Sequence, residues 1–255
     1  MYSYTVLVTP QIGEFHQYVM AKTALITGGT SGIGLGIALG LKNEGFQVIA
    51  TGVGSDEVKS AQKRYPALSC RVLDVTSSDQ IGATMDSLEN LDVLINCAGT
   101  ILRDGMEHTA EGFERAVDVN LHGTMRMCYA AKELLTQSQG CVINTASMLS
   151  FFGSGFVPGY SASKGGVVQF TKSLAIAWAP HQIRVNALAP GWIETALTQP
   201  LYEDPERSKA ITDRTPLARW GRPHDVAGPA LFLASSQAQF ITGVVLPVDG
   251  GYSIM

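Results

Sequence analysis

Residues 22–34 read KTALITGGTSGIG and join a short apolar run to a glycine-rich turn. The residues over 22–27 have β-propensity, and those over 35–43 have apolar side chains at helical spacing. A second strand is predicted over 46–51 (FQVIAT). This order of strand, glycine turn, helix and strand is typical of a βαβ unit. Its helix N-terminus offers N–H groups and the positive end of the helix dipole to a pyrophosphate, so a dinucleotide site is the favoured interpretation.

The same alternation continues to the end of the chain. Further strands are predicted over 68–73, 92–96, 141–146, 184–189 and 244–248, and further helices over 56–65, 78–88, 110–135, 159–178 and 224–235. Strands that alternate with helices throughout indicate a mainly parallel sheet with helices on both faces. The sequence therefore predicts an α/β protein, with a single-domain, Rossmann-like, doubly wound parallel sheet over residues 21–255.

The segment 1–20 precedes the first predicted strand and is interpreted as an N-terminal extension. It contains neither the basic n-region nor the apolar stretch of a secretory signal. Met20 is a candidate for the natural start of the protein, and residues 2–8 have enough β-propensity to be a candidate edge strand.

The composition indicates a globular protein with a sizeable core, because 45% of the 255 residues are hydrophobic and 16% are charged. The net charge of −4 and the lack of a lysine- or arginine-rich run argue against nucleic-acid binding. No apolar run approaches the length of a membrane span, so no membrane association is expected. The four cysteines are widely spread and lack metal-ligand spacing, which predicts reduced thiols, no bound metal and a cytoplasmic location.

The stretch 160–164 (YSASK) places a tyrosine and a lysine four residues apart, on one face of a predicted helix. A cation beside a phenol favours the phenolate, so we expect Lys164 to lower the pKa of Tyr160. The tyrosine would then exchange a proton nearer neutral pH. Ser147 follows a predicted strand at its carboxyl end, where open α/β sheets bind ligands. Its hydroxyl can hydrogen-bond a carbonyl or alcohol oxygen.

An ordered set of motifs spanning residues 21–251 resembles the short-chain dehydrogenase/reductase family. The motifs are TGGTSGIG at 27–34, DV at 74–75, NCAG at 96–99, N at 120, S at 147, YSASK at 160–164, PG with a following T over 190–195, and VDGG at 248–251. Cys97 replaces the second asparagine of the family's NNAG motif. The resemblance implies an NAD(P)-dependent oxidoreductase that acts on CH–OH groups. It also implies a homotetramer built on the helices over 110–135 and 160–178.

The resemblance further implies roles for individual residues. The implied catalytic residues are Asn120, Ser147, Tyr160 and Lys164, with Asn120 holding a water that links the lysine to a proton relay. The implied cofactor contacts are Gly28, Thr30, Ser31, Gly32, Ile33, Gly34, Asp74, Val75, Asn96, Ala98, Gly99, Tyr160, Lys164, Pro190, Gly191, Ile193 and Thr195. Hydride transfer belongs to the cofactor, and the protein supplies orientation and electrostatics.

The choice between NAD and NADP has no strong signal in the sequence. An acidic residue after the second strand holds the ribose 2′-OH in NAD enzymes, whereas a basic residue accommodates the 2′-phosphate in NADP enzymes. Gly52 stands at the acidic position, and Ser31 stands where many NADP-dependent members carry Arg or Lys. NAD(H) is favoured because nothing basic is placed to pair a 2′-phosphate. NADP(H) stays an alternative, with Lys59 and Arg64 as the basic candidates.

Three stretches narrow the resemblance to the branch that contains 2-dehydro-3-deoxy-gluconate 5-dehydrogenase and gluconate 5-dehydrogenase. They are ASMLSF at 146–151, TPLARWGRP at 215–223 and GP at 228–229. This resemblance implies a substrate with a secondary alcohol or ketone on a sugar acid. Arg103 is similar to a basic residue of that branch and is a candidate carboxylate ligand, with a solvated surface arginine as the equally weighted alternative. Further candidate substrate contacts are Ser147, Phe152 and Trp192.

One stretch departs from that branch, because 148–159 (MLSFFGSGFVPG) has no charge where the branch tends to carry an arginine. Phe151, Phe152 and Phe156 make this wall more apolar, although core packing is their favoured interpretation. The departure leaves open a 3-oxoacyl carrier-protein reductase or an alcohol dehydrogenase for apolar ketones. A nucleotide-binding regulator without catalysis is the alternative from outside the enzymes.

The segment over about 192–215 contains two prolines and many charges, and it resembles the substrate lid of the family. A mobile lid excludes water and completes an active site. Arg207 lies in this segment, and a surface ion pair or a solvated position is its favoured interpretation over contact with substrate.

Overall fold

The computed structural model describes residues 21–255 and forms one seven-stranded parallel sheet covered by helices. The strands are β1 (Thr23–Thr27), β2 (Gln47–Gly52), β3 (Ser69–Val72), β4 (Val93–Asn96), β5 (Cys141–Thr145), β6 (Arg184–Pro190) and β7 (Val245–Val248). Every predicted strand is present, so the prediction of a Rossmann-like, doubly wound α/β fold is confirmed. The predicted extension over 1–20, with the candidate strand over 2–8 and the candidate start at Met20, lies outside the described residues.

Nine α-helices lie within the described residues. They are α1 (Gly32–Asn43), α2 (Ser55–Arg64), α3 (Ser78–Asp86), α4 (Ala110–Val117), α5 (Gly123–Ser138), α6 (Pro158–Trp178), α7 (Gln199–Tyr202), α8 (Pro205–Arg214) and α9 (Pro223–Ala234). Side chains start several of them: Thr109 caps α4 and Asp204 caps α8 by accepting hydrogen bonds from first-turn N–H groups. Over residues 21–255, no helix combines the length and the apolar character that crossing a membrane needs.

The order of the strands in the sheet, β3-β2-β1-β4-β5-β6-β7, changes direction at β1. From β1 the chain builds outward through β2 to β3, then returns to pair β4 against the other side of β1. The loops after β1 and β4 therefore leave the sheet on opposite sides and open a crevice at its carboxyl edge. A ligand site is expected at this switch point.

The sheet is buried on both faces, as a parallel sheet with helices on both sides requires. Leu25 and Ile26 are consecutive in β1, point to opposite faces and have no solvent exposure. Ile26 packs in a core with Ile37 of α1 and Leu233 of α9, whereas Leu25 packs in a second core with Met127 of α5. Because full burial of one such side chain contributes roughly 1.5–3 kcal/mol, the two cores hold the strands beneath the crevice firmly in place.

The prediction of one continuous helix over 110–135 is wrong at its centre, because a π-helical turn over Asp118–His122 separates α4 from α5. A π turn accommodates one extra residue, and here it includes Asn120, which has no solvent exposure. Asn120 Oδ1 accepts a hydrogen bond from Thr100 N at 2.8 Å, and its Nδ2 donates to Thr100 O at 3.0 Å. Apolar periodicity did not reveal the turn, because the partner lies in a loop 20 residues earlier.

A close contact inside the glycine turn predicts how two matched substitutions change stability. A Cβ at Gly34 in α1 would lie 2.2 Å from the carbonyl oxygen of Gly28, whereas a Cβ at Gly82 in α3 would meet nothing within 4 Å. We expect Gly34→Ala to lower the free energy of unfolding by about 1–3 kcal/mol through overpacking. We expect Gly82→Ala to raise it by about 0.5–1 kcal/mol, because alanine has the higher helix propensity. Urea denaturation measures both variants, and equal shifts would contradict the packing argument.

Candidate active site

A cleft of about 690 Å³ runs along the carboxyl edge of the sheet at the switch point. Its walls come from the glycine turn, the ends of β2 to β5, the start of α6 and residues 195–197. Most residues predicted to contact the cofactor line this cleft, namely Gly28, Ser31, Gly32, Ile33, Gly34, Asp74, Val75, Ala98, Gly99, Tyr160, Lys164 and Thr195.

The glycine turn suits a dinucleotide because its backbone approaches the loop after β4 closely. Gly28 has a φ of 62°, and a Cβ there would lie 2.9 Å from Ala98 N. Thr27 Oγ1 accepts hydrogen bonds at 3.1 Å from both Cys97 N and Ala98 N, which joins the turn to that loop. Among the described residues, the N-cap Ser31 makes no side-chain cap bond, and the first turn of α1 has no acidic side chain. The backbone N–H groups of the first turn of α1 would hold the pyrophosphate of a nicotinamide dinucleotide.

Five residues predicted to contact the cofactor are not among those that line the cleft: Thr30, Asn96, Pro190, Gly191 and Ile193. The side chain of Asn96 points into the interior, where its Nδ2 donates to Asn144 Oδ1 at 2.9 Å. Ile193 is buried in the core that contains α1 and α9. The side chains of Asn96 and Ile193 therefore point into the interior of the protein.

Ser147, Tyr160 and Lys164 meet at the end of β5. Ser147 begins a short 3₁₀ turn after this strand, and its hydroxyl lies beside the phenol of Tyr160. Lys164 Nζ donates to Thr145 O at 2.6 Å and lies 5.7 Å from the centre of the Tyr160 ring. A hydroxyl, a phenol and an ammonium group are thus placed together beside the dinucleotide cleft.

The pKa of Tyr160 is raised above its ordinary value, so the predicted shift of this pKa toward neutral pH is wrong. Burial is the main cause, because it disfavours the phenolate; the Ser147 hydroxyl acts in the opposite direction, and the Glu107 carboxylate adds to the rise. Burial also lowers the pKa of Lys164 to about 8, with the Cys97 thiol acting against that change. The prediction failed because the spacing of the tyrosine and lysine carries no information about their desolvation.

Asn120 lies behind the cleft and connects the loop after β4 to the start of α6. Its Nδ2 donates to Ser163 Oγ at 3.1 Å, and that hydroxyl donates to Tyr160 O at 2.7 Å. A Cβ at Gly99 would lie 3.2 Å from Asn120 Oδ1 and 3.7 Å from Lys164 Nζ, so only glycine leaves this space open. Asn120 therefore fixes the loop after β4 against the start of α6.

Glu107 was missed by the sequence reasoning. Its side chain is buried, and its two carboxylate oxygens accept hydrogen bonds from Leu102 N at 2.8 Å and from Tyr160 N at 2.7 Å. The second partner is 53 residues away in the chain, so nothing local distinguishes Glu107 from the exposed acids near it. The carboxylate holds the backbone of Tyr160 and places a negative charge near its ring.

Phe152 and Trp192 belong to an aromatic cluster around Tyr252. The rings of Phe152 and Trp192 stand 6.3 Å and 6.1 Å from the ring of Tyr252, and Arg214 lies 4.2 Å above that ring. Sequence reasoning missed Arg214 and Tyr252. The predicted core packing is wrong for Phe151 and Phe156, which are 51% and 83% exposed because the segment over 151–157 runs along the surface.

Arg103 contacts the segment over 192–215, and Arg207 lies within that segment. Arg103 Nη2 donates to Leu197 O, at a point where residues 195–197 border the cleft. Arg207 Nε lies 3.4 Å from Asp204 Oδ2 and is largely exposed, in agreement with its favoured interpretation as a surface ion pair. Arg103 therefore faces the segment that resembles a lid, whereas Arg207 faces solvent.

The cysteines are free thiols, and the two buried ones have strongly raised pKa values. Burial raises the pKa of Cys128 to about 12 and that of Cys141 to about 11. Within residues 21–255, no three His, Cys, Asp or Glu side chains cluster in a way that would hold a metal ion.

The glycine turn, the cleft and the polar groups at its edge define a dinucleotide-dependent oxidoreductase. The family model described as enoyl-(acyl carrier protein) reductase matches residues 28–253. The chain belongs to the short-chain dehydrogenase/reductase family, which confirms the resemblance seen in its motifs. NAD(P)-dependent oxidoreduction at CH–OH groups follows from this membership.

Individual relatives cover nearly the whole chain. A 2-dehydro-3-deoxy-D-gluconate 5-dehydrogenase from Pseudoalteromonas atlantica is 42% identical over 245 residues, which cover 91% of this chain and 95% of the relative. A 3-oxoacyl-(acyl-carrier-protein) reductase from Thermotoga maritima is 37% identical over 244 residues, covering 91% and 98%. The crystal structure of a gluconate 5-dehydrogenase from Burkholderia cenocepacia in complex with NADP and tartrate is 32% identical, with a TM-score of 0.86 over 92% of this chain and 96% of that chain.

The position of Glu107 predicts a shift in the pH dependence of catalysis. Its negative charge raises the pKa of Tyr160, so Glu107→Gln is expected to lower that pKa. A tyrosine that donates a proton is active below its pKa and inactive above it, so ketone reduction by the variant should be lost at a lower pH than in the wild type. The pH profile of kcat/KM measures this shift.

The control for this experiment is Glu111→Gln, which removes an exposed charge from the first turn of α4. Its profile should match the wild type. A lowered melting temperature of Glu107→Gln without any movement of the profile would limit Glu107 to a structural role.

Proposed function

We propose that the protein interconverts a secondary alcohol and a ketone on a sugar acid. The observation that carries this proposal is the meeting of Ser147, Tyr160 and Lys164 beside the dinucleotide cleft. The relatives support the substrate class, because one that is 42% identical is a 2-dehydro-3-deoxy-D-gluconate 5-dehydrogenase and another is a gluconate 5-dehydrogenase.

The reacting oxygen is proposed to lie against Ser147 and Tyr160. In reduction, the Ser147 hydroxyl donates a hydrogen bond to the ketone oxygen, and Tyr160 Oη gives its proton to the same oxygen as general acid. The nicotinamide supplies the hydride when it is bound. The raised pKa keeps the phenol protonated at neutral pH, which suits proton donation. Oxidation needs the phenolate as base and is therefore favoured at higher pH.

Lys164 and Asn120 complete the proposed catalytic set. Once Tyr160 has given up its proton, the ammonium group of Lys164 stabilises the phenolate electrostatically. Its bond to Thr145 O keeps Nζ beside the ring and the cleft, where it would also hold the nicotinamide ribose. Asn120 keeps the loop after β4 in contact with α6, so that the proton donor and the cofactor wall hold a constant separation.

Arg103 is the proposed ligand of the substrate carboxylate. A guanidinium group suits a carboxylate because it presents paired N–H donors. Its contact with Leu197 O connects it to the segment over 192–215, which we propose as the substrate lid. Phe152 and Trp192 are proposed to form the wall against the carbon chain of the substrate.

A second candidate function is reduction of a 3-oxoacyl chain or another apolar ketone. The exposed rings of Phe151 and Phe156 favour it, because they follow Ser147 closely in the chain and offer apolar surface to a ligand. A panel of sugar acids, neutral ketones and acyl thioesters, run with NADH and with NADPH, separates the candidates. Turnover of apolar ketones or acyl thioesters but not of sugar acids would favour the second candidate function. Nucleotide binding without any turnover would favour a nucleotide-binding regulator without catalysis.

The homotetramer and the cytoplasmic location stay predictions. Exposed apolar side chains on the helices that the resemblance places at the subunit interface support association, with Tyr129 on α5 56% exposed and Ile176 on α6 79% exposed. Light scattering coupled to size-exclusion chromatography measures the mass of the particle in solution.

Replacement of the proton donor should separate binding from catalysis. We expect Tyr160→Phe to lower kcat by about a hundredfold or more, because general acid catalysis supplies at least that factor. Its affinity for the nucleotide should stay near that of the wild type. Isothermal titration and steady-state kinetics measure the two effects. Tyr129→Phe, which removes an exposed phenol on α5, is the matched control and should keep full activity; full activity in Tyr160→Phe itself would refute the assignment.

The proposed carboxylate ligand gives a prediction about substrate charge. We expect Arg103→Ala to raise KM for sugar acids by about tenfold, because a charge-assisted hydrogen bond is lost. The KM for neutral ketones should change much less. The control is Arg71→Ala on β3, whose guanidinium donates to Ser87 Oγ. Equal increases in KM for acids and neutral ketones would remove Arg103 from carboxylate binding.

A further inference from the structure

One wall of the dinucleotide cleft has an acidic side chain that comes from an unexpected place in the chain. This wall consists of Gly52 at the end of β2, the next residue Val53, and Glu57 in the first turn of α2; we call it the β2–α2 wall. Enzymes that use NAD generally place an acidic residue here to accept a hydrogen bond from the ribose 2′-OH. The expected position, 52, is occupied by glycine.

The structure explains why the acidic group is absent from position 52. A Cβ at Gly52 would lie 2.3 Å from Thr30 Oγ1, so any side chain there would collide with the buried threonine of the glycine turn. Thr30 Oγ1 instead donates a hydrogen bond to Glu57 Oε1 at 2.5 Å. The threonine therefore excludes a side chain from the strand end and holds a carboxylate from the helix in its place.

The held carboxylate keeps one oxygen available. Among the described residues, Glu57 Oε1 accepts from Thr30, whereas Oε2 accepts no hydrogen bond from the protein. Glu57 lines the cleft, and Gly54 beside it has no side chain to cover Oε2. An oriented carboxylate with a free acceptor is suited to a hydroxyl donor and repels a phosphate.

The basic side chains of α2 do not offset this charge. Lys59 Nζ lies 3.7 Å from Asp56 Oδ1 and is 77% exposed, and the guanidinium of Arg64 stacks 5.4 Å from the centre of the Tyr65 ring. Neither of them lines the cleft, and nor does Lys63, the third basic residue of α2. Among the described residues, Glu57 is thus the one charged side chain of the β2–α2 wall; the two cations that line the cleft, Arg115 and Lys164, belong to α4 and α6.

We propose that Glu57 is the residue that selects NAD(H) over NADP(H) in this protein. Its carboxylate accepts a hydrogen bond from the ribose 2′-OH of NAD(H), and it repels the 2′-phosphate of NADP(H), for which the wall offers no cation. The gluconate 5-dehydrogenase from Burkholderia cenocepacia was solved in complex with NADP, whereas we expect this chain to bind NAD(H) more tightly than NADP(H).

Direct binding tests this inference without any substrate. Isothermal titration of the wild type is expected to give a Kd for NADH at least about tenfold below that for NADPH, since each tenfold ratio needs only about 1.4 kcal/mol of discrimination. Glu57→Gln keeps an acceptor for Thr30 and removes the charge. It should shrink the NADPH/NADH ratio of Kd values by about tenfold, mainly through tighter binding of NADPH.

Asp56→Asn is the matched control. It makes the same change in net charge one residue earlier in the same helical turn, at a side chain that pairs with Lys59 and does not line the cleft. Its Kd ratio should equal that of the wild type. A wild type that binds NADPH more tightly, or equal changes in Asp56→Asn and Glu57→Gln, would overturn the assignment of Glu57. Because no substrate is present, these outcomes are independent of whether sugar acids are the substrates.

Discussion

Two hydrogen bonds at the switch point hold the two sides of the site together. The ladder between β1 and β4 ends where Thr27 faces Asn96, and beyond it the strands separate. The Thr27 hydroxyl then accepts hydrogen bonds from the N–H groups of Cys97 and Ala98. Cys97 N also donates to the backbone oxygen of Thr27 at 3.1 Å, whereas the hydroxyl is the partner of Ala98 N. A buried N–H without a partner costs about 1–3 kcal/mol, so this side chain lets the sheet open without that loss at Ala98. The glycine turn and the loop after β4 consequently keep a constant spacing.

The loop after β4 is fixed at both of its ends and also at its middle. Thr27 holds its start, Asn120 holds Thr100, and the Glu107 carboxylate bridges Leu102 to the backbone of Tyr160. Buried polar contacts of this kind are strong in a low-dielectric interior and specify one arrangement. Tyr160 on α6, the proposed proton donor, is thereby positioned by a loop that also lines the cleft.

Much of the fold was accessible from the sequence, because apolar periodicity and the glycine turn depend on local patterns. The seven strands and the order of motifs from 27–34 to 248–251 follow from those patterns. The features that could not be predicted depend on contacts between distant residues. The partner of Glu107 is on another helix, the exposure of Phe156 depends on the path of its loop, and the desolvation of Tyr160 depends on everything that packs around it. Sequence spacing predicted which groups react but could not give their pKa values.

The π turn between α4 and α5 has a consequence for the phase of the helix. One residue of an α-helix turns the chain by about 100°, since there are 3.6 residues per turn. The π turn takes up the extra residue over Asp118–His122 within one wide turn, so α4 keeps nearly the rotation about its axis, relative to α5, that a continuous helix would give. The face of α4 that packs on Gly159 of α6, through Phe113 and Ala116, depends on that rotation. An extra residue without this wide turn would rotate that face by about 100° away from α6, so the π turn lets the chain carry one more residue, with Asn120 inside the turn, and still keep this packing.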